Sequence, residues 1–312
     1  METHANAQKG DRFGLLMIMV SASLLGTVGI FVQAIYTLSE TNPLSIGFFR
    51  LAISTPVLFL TCLRTLGWRT FQIARRDLAV MLLIGVMTAL SQVCYFGSIG
   101  YIGVAAATLI TLGLAPVWVA LLASLLLRER VTRVILLAGM CALGGTALLV
   151  NIQPGQVILR SHTELGVLLA LGSALAYGSV TLFSRLLAGR YHPLQSLTVG
   201  FLAGAIFLFP ITLITGLALQ YPFASWMSLL YLGIVTTAFA YWLYFSGMRH
   251  TPALVASIAT LLEPFTATLL AWWLLGEQLG TSGIGGGVLL LSAIGLLYWQ
   301  NLYGKQRNPR RR

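Results

Sequence analysis

The stretch Thr251 to Gly280 reads TPALVASIATLLEPFTATLLAWWLLGEQLG. Its apolar run is long enough to cross a bilayer, for which about 18 to 20 residues suffice. One acid, Glu263, sits well inside it. An ionisable side chain at the centre of a span costs about 2.5–3.5 kcal/mol on insertion scales, so Glu263 requires either a partner or a function.

The stretch has an earlier counterpart. Gly113 to Arg130, GLAPVWVALLASLLLRER, aligns with Leu261 to Gln278, LLEPFTATLLAWWLLGEQ, and pairs Pro116 with Pro264 and Glu129 with Glu277. Working outward, Thr88, Ala89 and Tyr95 fall on Thr237, Ala238 and Tyr244. Ser21, Gly26 and Phe31 fall on Ser173, Gly178 and Phe183, and Asn42-Pro43-Leu44 faces His192-Pro193-Leu194. A repeat on this scale is a statement about architecture: five apolar segments in the first half are echoed by five in the second.

Composition points the same way. The chain has 312 residues, 57% hydrophobic and 9% charged, with mean hydropathy +0.87, far from the roughly one quarter charged residues of soluble domains. The spans read Phe13–Tyr36, Leu44–Leu63, Leu78–Ile99, Val104–Leu127, Val131–Ile152, Leu165–Leu187, Leu194–Leu217, Trp226–Met248, Ala253–Gly276 and Ser282–Tyr303. The first carries the basic lead of a signal peptide but is too long for one and lacks a cleavage site. The fold expected is an all-α integral membrane protein with ten transmembrane helices in two inverted five-helix repeats, residues 1–152 and 160–303, followed by a basic tail, 304–312.

Inversion follows from charge. The net charge of +11 would suggest nucleic acid in a soluble chain, but the basic residues sit in alternate connections, as membrane topology requires: Lys9 and Arg12; Arg64, Arg69, Arg75 and Arg76; Arg128, Arg130 and Arg133; Arg185 and Arg190; Arg249; and the tail. Both termini are expected in the cytoplasm and the protein in the cell membrane. Five spans per repeat put the second copy upside down, and basic loops of one half match uncharged loops of the other. Such repeats are a recurrent secondary-transporter architecture, with the substrate site at their interface.

The motifs Leu262-Glu263-Pro264 and Leu275-Gly276-Glu277, echoed by Ala115-Pro116 and Leu127-Arg128-Glu129, resemble the EamA family of the drug/metabolite transporter superfamily over almost the whole chain. The resemblance implies a small-molecule transporter, most often an exporter of amino acids, metabolites or amphiphilic toxic compounds, with a central cavity. An uptake permease or exchanger is the alternative. An enzyme would need paired carboxylates or a His/Cys cluster at membrane depth, and a static scaffold or channel component has no need of two related halves.

Several residues could line such a cavity. The third span presents Thr88, Gln92, Tyr95 and Ile99 on one helical face, and the eighth presents Thr237, Tyr241, Tyr244 and Met248. These faces are expected to meet around the substrate, because polar groups cannot be left facing lipid. Tyr177 lies on a third such face with Ser173 and Thr181, although hydroxyls in spans more often serve packing, as Thr108 and Thr111 would. Arg50 either snorkels toward the outer surface or binds a carboxylate, of substrate or of Glu40. Glu263 either braces the helix break at Pro264, held by backbone groups that the proline frees, such as the Thr260 carbonyl, or by polar residues of neighbouring helices, or exchanges a proton or attracts a substrate amine. Substrate contacts are thus assigned to Arg50, Gln92, Tyr95, Tyr177, Tyr241, Tyr244 and Glu263. The partners expected are a small solute, the lipid bilayer, a proton or exchanged solute as coupling species, and at most a second copy of the chain; no cofactor or metal is suggested.

Overall fold

The computed structural model describes residues 2–127, 132–150, 163–275 and 281–303. The loop charges Arg128, Arg130, Arg160 and Glu277, the repeat boundary at 152 and 160, and the basic tail lie outside these. The described chain is helical, with one isolated bridge between Ala188 and Tyr191. In order it comprises α1 (Glu2–Gly26), α2 (Val28–Leu38), α3 (Pro43–Leu66), a 3-10 turn (Gly67–Phe71), α4 (Arg75–Leu126), α5 (Arg133–Val150), α6 (Thr163–Leu187) and α7 (Pro193–Ile214). Then follow α8 (Phe223–Tyr231), a π-helical segment (Leu232–Phe239), α9 (Ala240–Gly247), α10 (Ala253–Ala259), α11 (Leu262–Leu275) and α12 (Thr281–Tyr303). Among the described residues, eight segments are long and apolar enough to cross a membrane, and two apolar helices, Arg133–Leu148 and Thr281–Leu297, are shorter. The protein is an integral membrane protein.

The third and fourth expected spans, Arg75–Ile99 and Ala107–Leu127, are joined by helical backbone where the sequence suggested a bare link. A straight helix of 52 residues would measure about 78 Å, far beyond a hydrocarbon core of about 30 Å, and this one folds back on itself. Along α6, Gly166, Leu169 and Ser173 meet Tyr101, Gly97 and Ser91 in descending order. On its other side Ala170 and Gly178 meet Thr111 and Ala115 in ascending order. The two arms of α4 therefore run antiparallel, with α6 against both.

Small residues set how closely these helices pack, as is usual in membranes. A Cβ on Gly26 would stand 2.6 Å from that of Thr266 and 2.7 Å from the Glu263 carbonyl; one on Gly178 would meet the Ala115 carbonyl and the Trp118 Cβ, both at 3.4 Å. The Ser21 hydroxyl donates to the Ala240 carbonyl at 2.7 Å, and the Ser173 hydroxyl to the Ser91 carbonyl at 2.9 Å. Gly14 packs on His250 and Gly166 on Tyr101. Each second-half contact falls on the residues aligned with the first.

The bundle's two ends are tied in matching fashion. At one, Ser45 accepts from the Ala218 amide at 3.1 Å, Asn42 donates to the Gly216 carbonyl at 2.5 Å, and the Thr41 and Tyr221 hydroxyls meet at 2.5 Å. At the other, Gln195 donates to the Arg69 carbonyl at 2.8 Å, Arg190 pairs with Asp77 at 3.3 Å, and the Tyr191 hydroxyl donates to Asp77 at 2.9 Å. Asn42 caps α3, and His192 caps α7 through Nδ1, which accepts from the Leu194 amide. Burial, and after it the charge of Arg249, hold the His192 ring below the ordinary imidazole range, so it stays a neutral acceptor.

The tightest crossing is that of Gly85 on Gly200 and Gly204, where an added Cβ would run into the Gly200 carbonyl. Gly85→Ala is expected to destabilise the protein by about 1–3 kcal/mol, the usual cost of overpacking. Gly285→Ala, with open space around it, serves as the control. Thermal unfolding in detergent reads both, and equal midpoints would show that the crossing can relax.

Candidate functional site

The ninth expected span is broken. α10 ends at Ala259, Thr260 and Leu261 form a turn, and α11 resumes at Leu262, with Pro264 in its first turn, a position proline tolerates. The Thr260 carbonyl accepts from the Glu263 amide at 2.9 Å, so the turn satisfies it with the acid's own backbone. That carbonyl is thus engaged by the backbone of Glu263. Proline alone does not cause the break, since Pro116 lies inside continuous α4.

Among the described residues, the Glu263 side chain has no hydrogen-bond partner and no cation at salt-bridge distance. It is nonetheless the hub of the interior: Arg50, Tyr95, Tyr177 and Tyr241 all lie close enough to feel its charge. Arg50 turns inward, and its Nε donates to the Thr237 hydroxyl at 3.2 Å. It does not snorkel, and Glu40 stands exposed past the end of α2. The buried side-chain oxygens left without a partner among the described residues are Gln92 Oε1, Thr251 Oγ1 and Ser257 Oγ. Arg50 and Glu263 are themselves only partly covered within this interior space.

Two of the tyrosines are fixed around this space by threonines. The Tyr95 hydroxyl meets Thr108 at 2.7 Å and that of Tyr244 meets Thr181 at 2.8 Å, while Thr260 at the helix break donates to the Ser257 carbonyl at 2.8 Å. The Tyr241 ring stands edge-on to Phe201 at 5.1 Å and to Tyr244 at 6.5 Å. Gln92 lies directly on Gly47, one turn before Arg50, where no larger residue would fit. All seven residues singled out from the sequence thus converge on one region. Thr88, expected on the same face, instead donates to the Ile84 carbonyl of its own helix.

Thr237, the partner of Arg50, owes its place to the π-helical segment. Its hydroxyl and that of Thr236 both donate to the Leu232 carbonyl, at 2.7 and 2.8 Å, and Gly233 lets the widened turn seat on Ile53 of α3. Such π insertions recur at functional sites. The adjacent threonines are the visible signal in sequence, and a weak one. Trp272 and Trp273 are 50% and 72% exposed, as expected of residues facing the membrane, and a Cβ on Gly287 would stand 3.0 Å from the Phe265 ring.

The EamA-like transporter family model matches residues 12–151 and again 164–299. The chain belongs to that family. It is similar over 291 residues, at 30% identity, to the uncharacterized transporter YwfM of Bacillus subtilis, covering 93% of this chain and 94% of the relative. An uncharacterized transporter of Archaeoglobus fulgidus is likewise 30% identical, covering 93% and 97%. The uncharacterized inner membrane transporter YicL of Salmonella typhimurium is 26% identical, covering 92% and 95%. A solved crystal structure superposes with a TM-score of 0.78 at 18% identity, over 91% of this chain and 96% of that one, and shares the fold. The protein is therefore a membrane transporter of the drug/metabolite superfamily.

Thr237→Val should cost about 1 kcal/mol, the scale of a hydrogen bond between membrane helices, because it leaves Arg50 without its hydroxyl, whereas Thr237→Ser should match wild type. Thermal unfolding in detergent checks this, and an unchanged Thr237→Val would show that Arg50 is held by other means.

Proposed function

We propose that this protein is a secondary transporter that exports a small solute, an amino acid or an amphiphilic compound, by alternating access. In this reading ten spans form two inverted repeats, residues 1–152 and 160–303, both termini and the tail 304–312 are cytoplasmic, and the protein lies in the cell membrane. The duplicated contacts support the repeats: Gly26 with Gly178, Ser21 with Ser173, Ser45 with Gln195. Inversion is supported by direction, because the apolar part of α1 begins at Gly14 beside His250 at the basic end whereas α6 starts beside Tyr101 at the other.

One observation carries the substrate site. Arg50 from the first half and Glu263 from the second border the same interior space, oppositely charged and not joined to each other. Two separated charges are a poor structural device in an apolar interior, since a direct pair would cost less. They suit a solute or a proton that comes and goes. Tyr95, Tyr177, Tyr241 and Tyr244 supply ring faces for an apolar body or a cation, and Gln92 packs on Gly47 one turn before Arg50. Glu263 is read as the coupling group. Uptake or exchange would use the same site.

Purified protein in liposomes is expected to move members of a panel of radiolabelled amino acids and an amphiphilic cation. Glu263→Gln should fold normally and lose the pH dependence of flux, and Tyr241→Ala should lower flux at least about tenfold, equivalent to about 1.4 kcal/mol, with unchanged yield. Ion currents without solute exchange would contradict a transporter of this kind, and a Glu263→Gln protein with wild-type flux at every pH would remove the coupling role.

A further inference from the structure

The aligned halves differ at one place that bears on how the site opens. At the basic end α6 and α9 are bridged: the Tyr244 hydroxyl meets that of Thr181 at 2.8 Å, and Arg185 Nη1 donates to the Met248 carbonyl. The alignment that pairs Phe31 with Phe183 and Thr88 with Thr237 places Gly29 and Gln33 opposite Thr181 and Arg185. It places Tyr95 and Ile99 opposite Tyr244 and Met248. At that opposite end the corresponding bridge is missing. Tyr95 is turned to Thr108 within its own hairpin, Gly29 has open space where a side chain would begin, and Gln33 is exposed, with no hydrogen-bond partner among the described residues. A primary amide is not left facing lipid, so Gln33 belongs to a wet surface.

We propose that these positions form two reciprocal gates, and that the structure has the basic-end gate closed and the other open. In the opposite state Gln33 donates through Nε2 to the Ile99 carbonyl, as Arg185 does to that of Met248. Tyr95 leaves Thr108 and covers Gly29, and the Tyr244–Thr181 and Arg185–Met248 contacts part. Chemistry supports the exchange: glutamine and arginine both end in N–H donors, and a glycine opposite a tyrosine leaves room for the ring. The inference rests on the alternating-access reading, and it assigns gating to Gln33, Tyr95, Thr181, Arg185 and Tyr244.

The test needs no known substrate. In protein reconstituted in liposomes with Cys62, Cys94 and Cys141 changed to serine, a Gln33→Cys/Ile99→Cys pair is oxidised and disulfide formation is followed by loss of maleimide labelling. The rate should rise about fivefold or more when Tyr244→Phe and Arg185→Met weaken the distant gate, as expected for removing stabilising hydrogen bonds from one of two states. Should that pair fail to fold, Gly29→Cys with Tyr95→Cys reads the same closure. An unchanged rate, or no disulfide with either pair, overturns the gates. Failure of the transport reading looks different: coupled closure in a protein that moves neither the amino-acid panel nor the amphiphilic cation.

Discussion

A charge inside an apolar bundle must be compensated, and this structure compensates two of them at a distance. Arg50 is anchored to Thr237 and Glu263 sits at a helix break, each within the other's field but not in contact. Keeping them apart requires a widened π turn to present Thr237, an interrupted span to present Glu263, and a glycine, Gly47, to bring Gln92 down beside Arg50. The first two are departures from a regular helix, and all three lie around these charges.

The rest of the molecule is close to symmetric. Glycines and serines of one half meet the same partners as their counterparts in the other, and the loops at the two ends are tied by corresponding side chains. The charges are the exceptions. By the alignment of the halves, Glu263 stands opposite Ala115 and Arg50 opposite Gly200, the residue on which Gly85 crosses. Duplication thus supplies a frame of two similar halves, and substitution at two positions supplies an electrostatic axis across it. Alternating access needs both: halves similar enough to exchange roles, and a fixed site that holds its ligand from either side.

Much of this was legible in the sequence because an acid in an apolar run, or a tyrosine face at helical spacing, is conspicuous against lipid. Glu263, Arg50 and the four tyrosines could be found that way. Their partners could not. Thr108 and Thr181 look like any hydroxyl in a span, and whether such a group bonds its own helix, as Thr88 does, or a tyrosine depends on tertiary packing. The π segment was hidden because adjacent threonines occur in ordinary helices too. The fate of the Thr260 carbonyl turned on one residue of turn geometry, which proline alone does not determine, as Pro116 shows. Gln33 escaped notice because its meaning comes only from what its counterpart Arg185 does.

The central claim is that Arg50 and Glu263 act on each other across the two halves. A double-mutant cycle in detergent, comparing the stabilities of wild type, Arg50→Gln, Glu263→Gln and the double variant, measures this directly. The account predicts non-additivity in a definite sense: each single variant strands a charge, so the double variant should be more stable than the sum of the two losses allows, by about 0.5–3 kcal/mol. Strictly additive losses would mean that the two charges are independent and would contradict it.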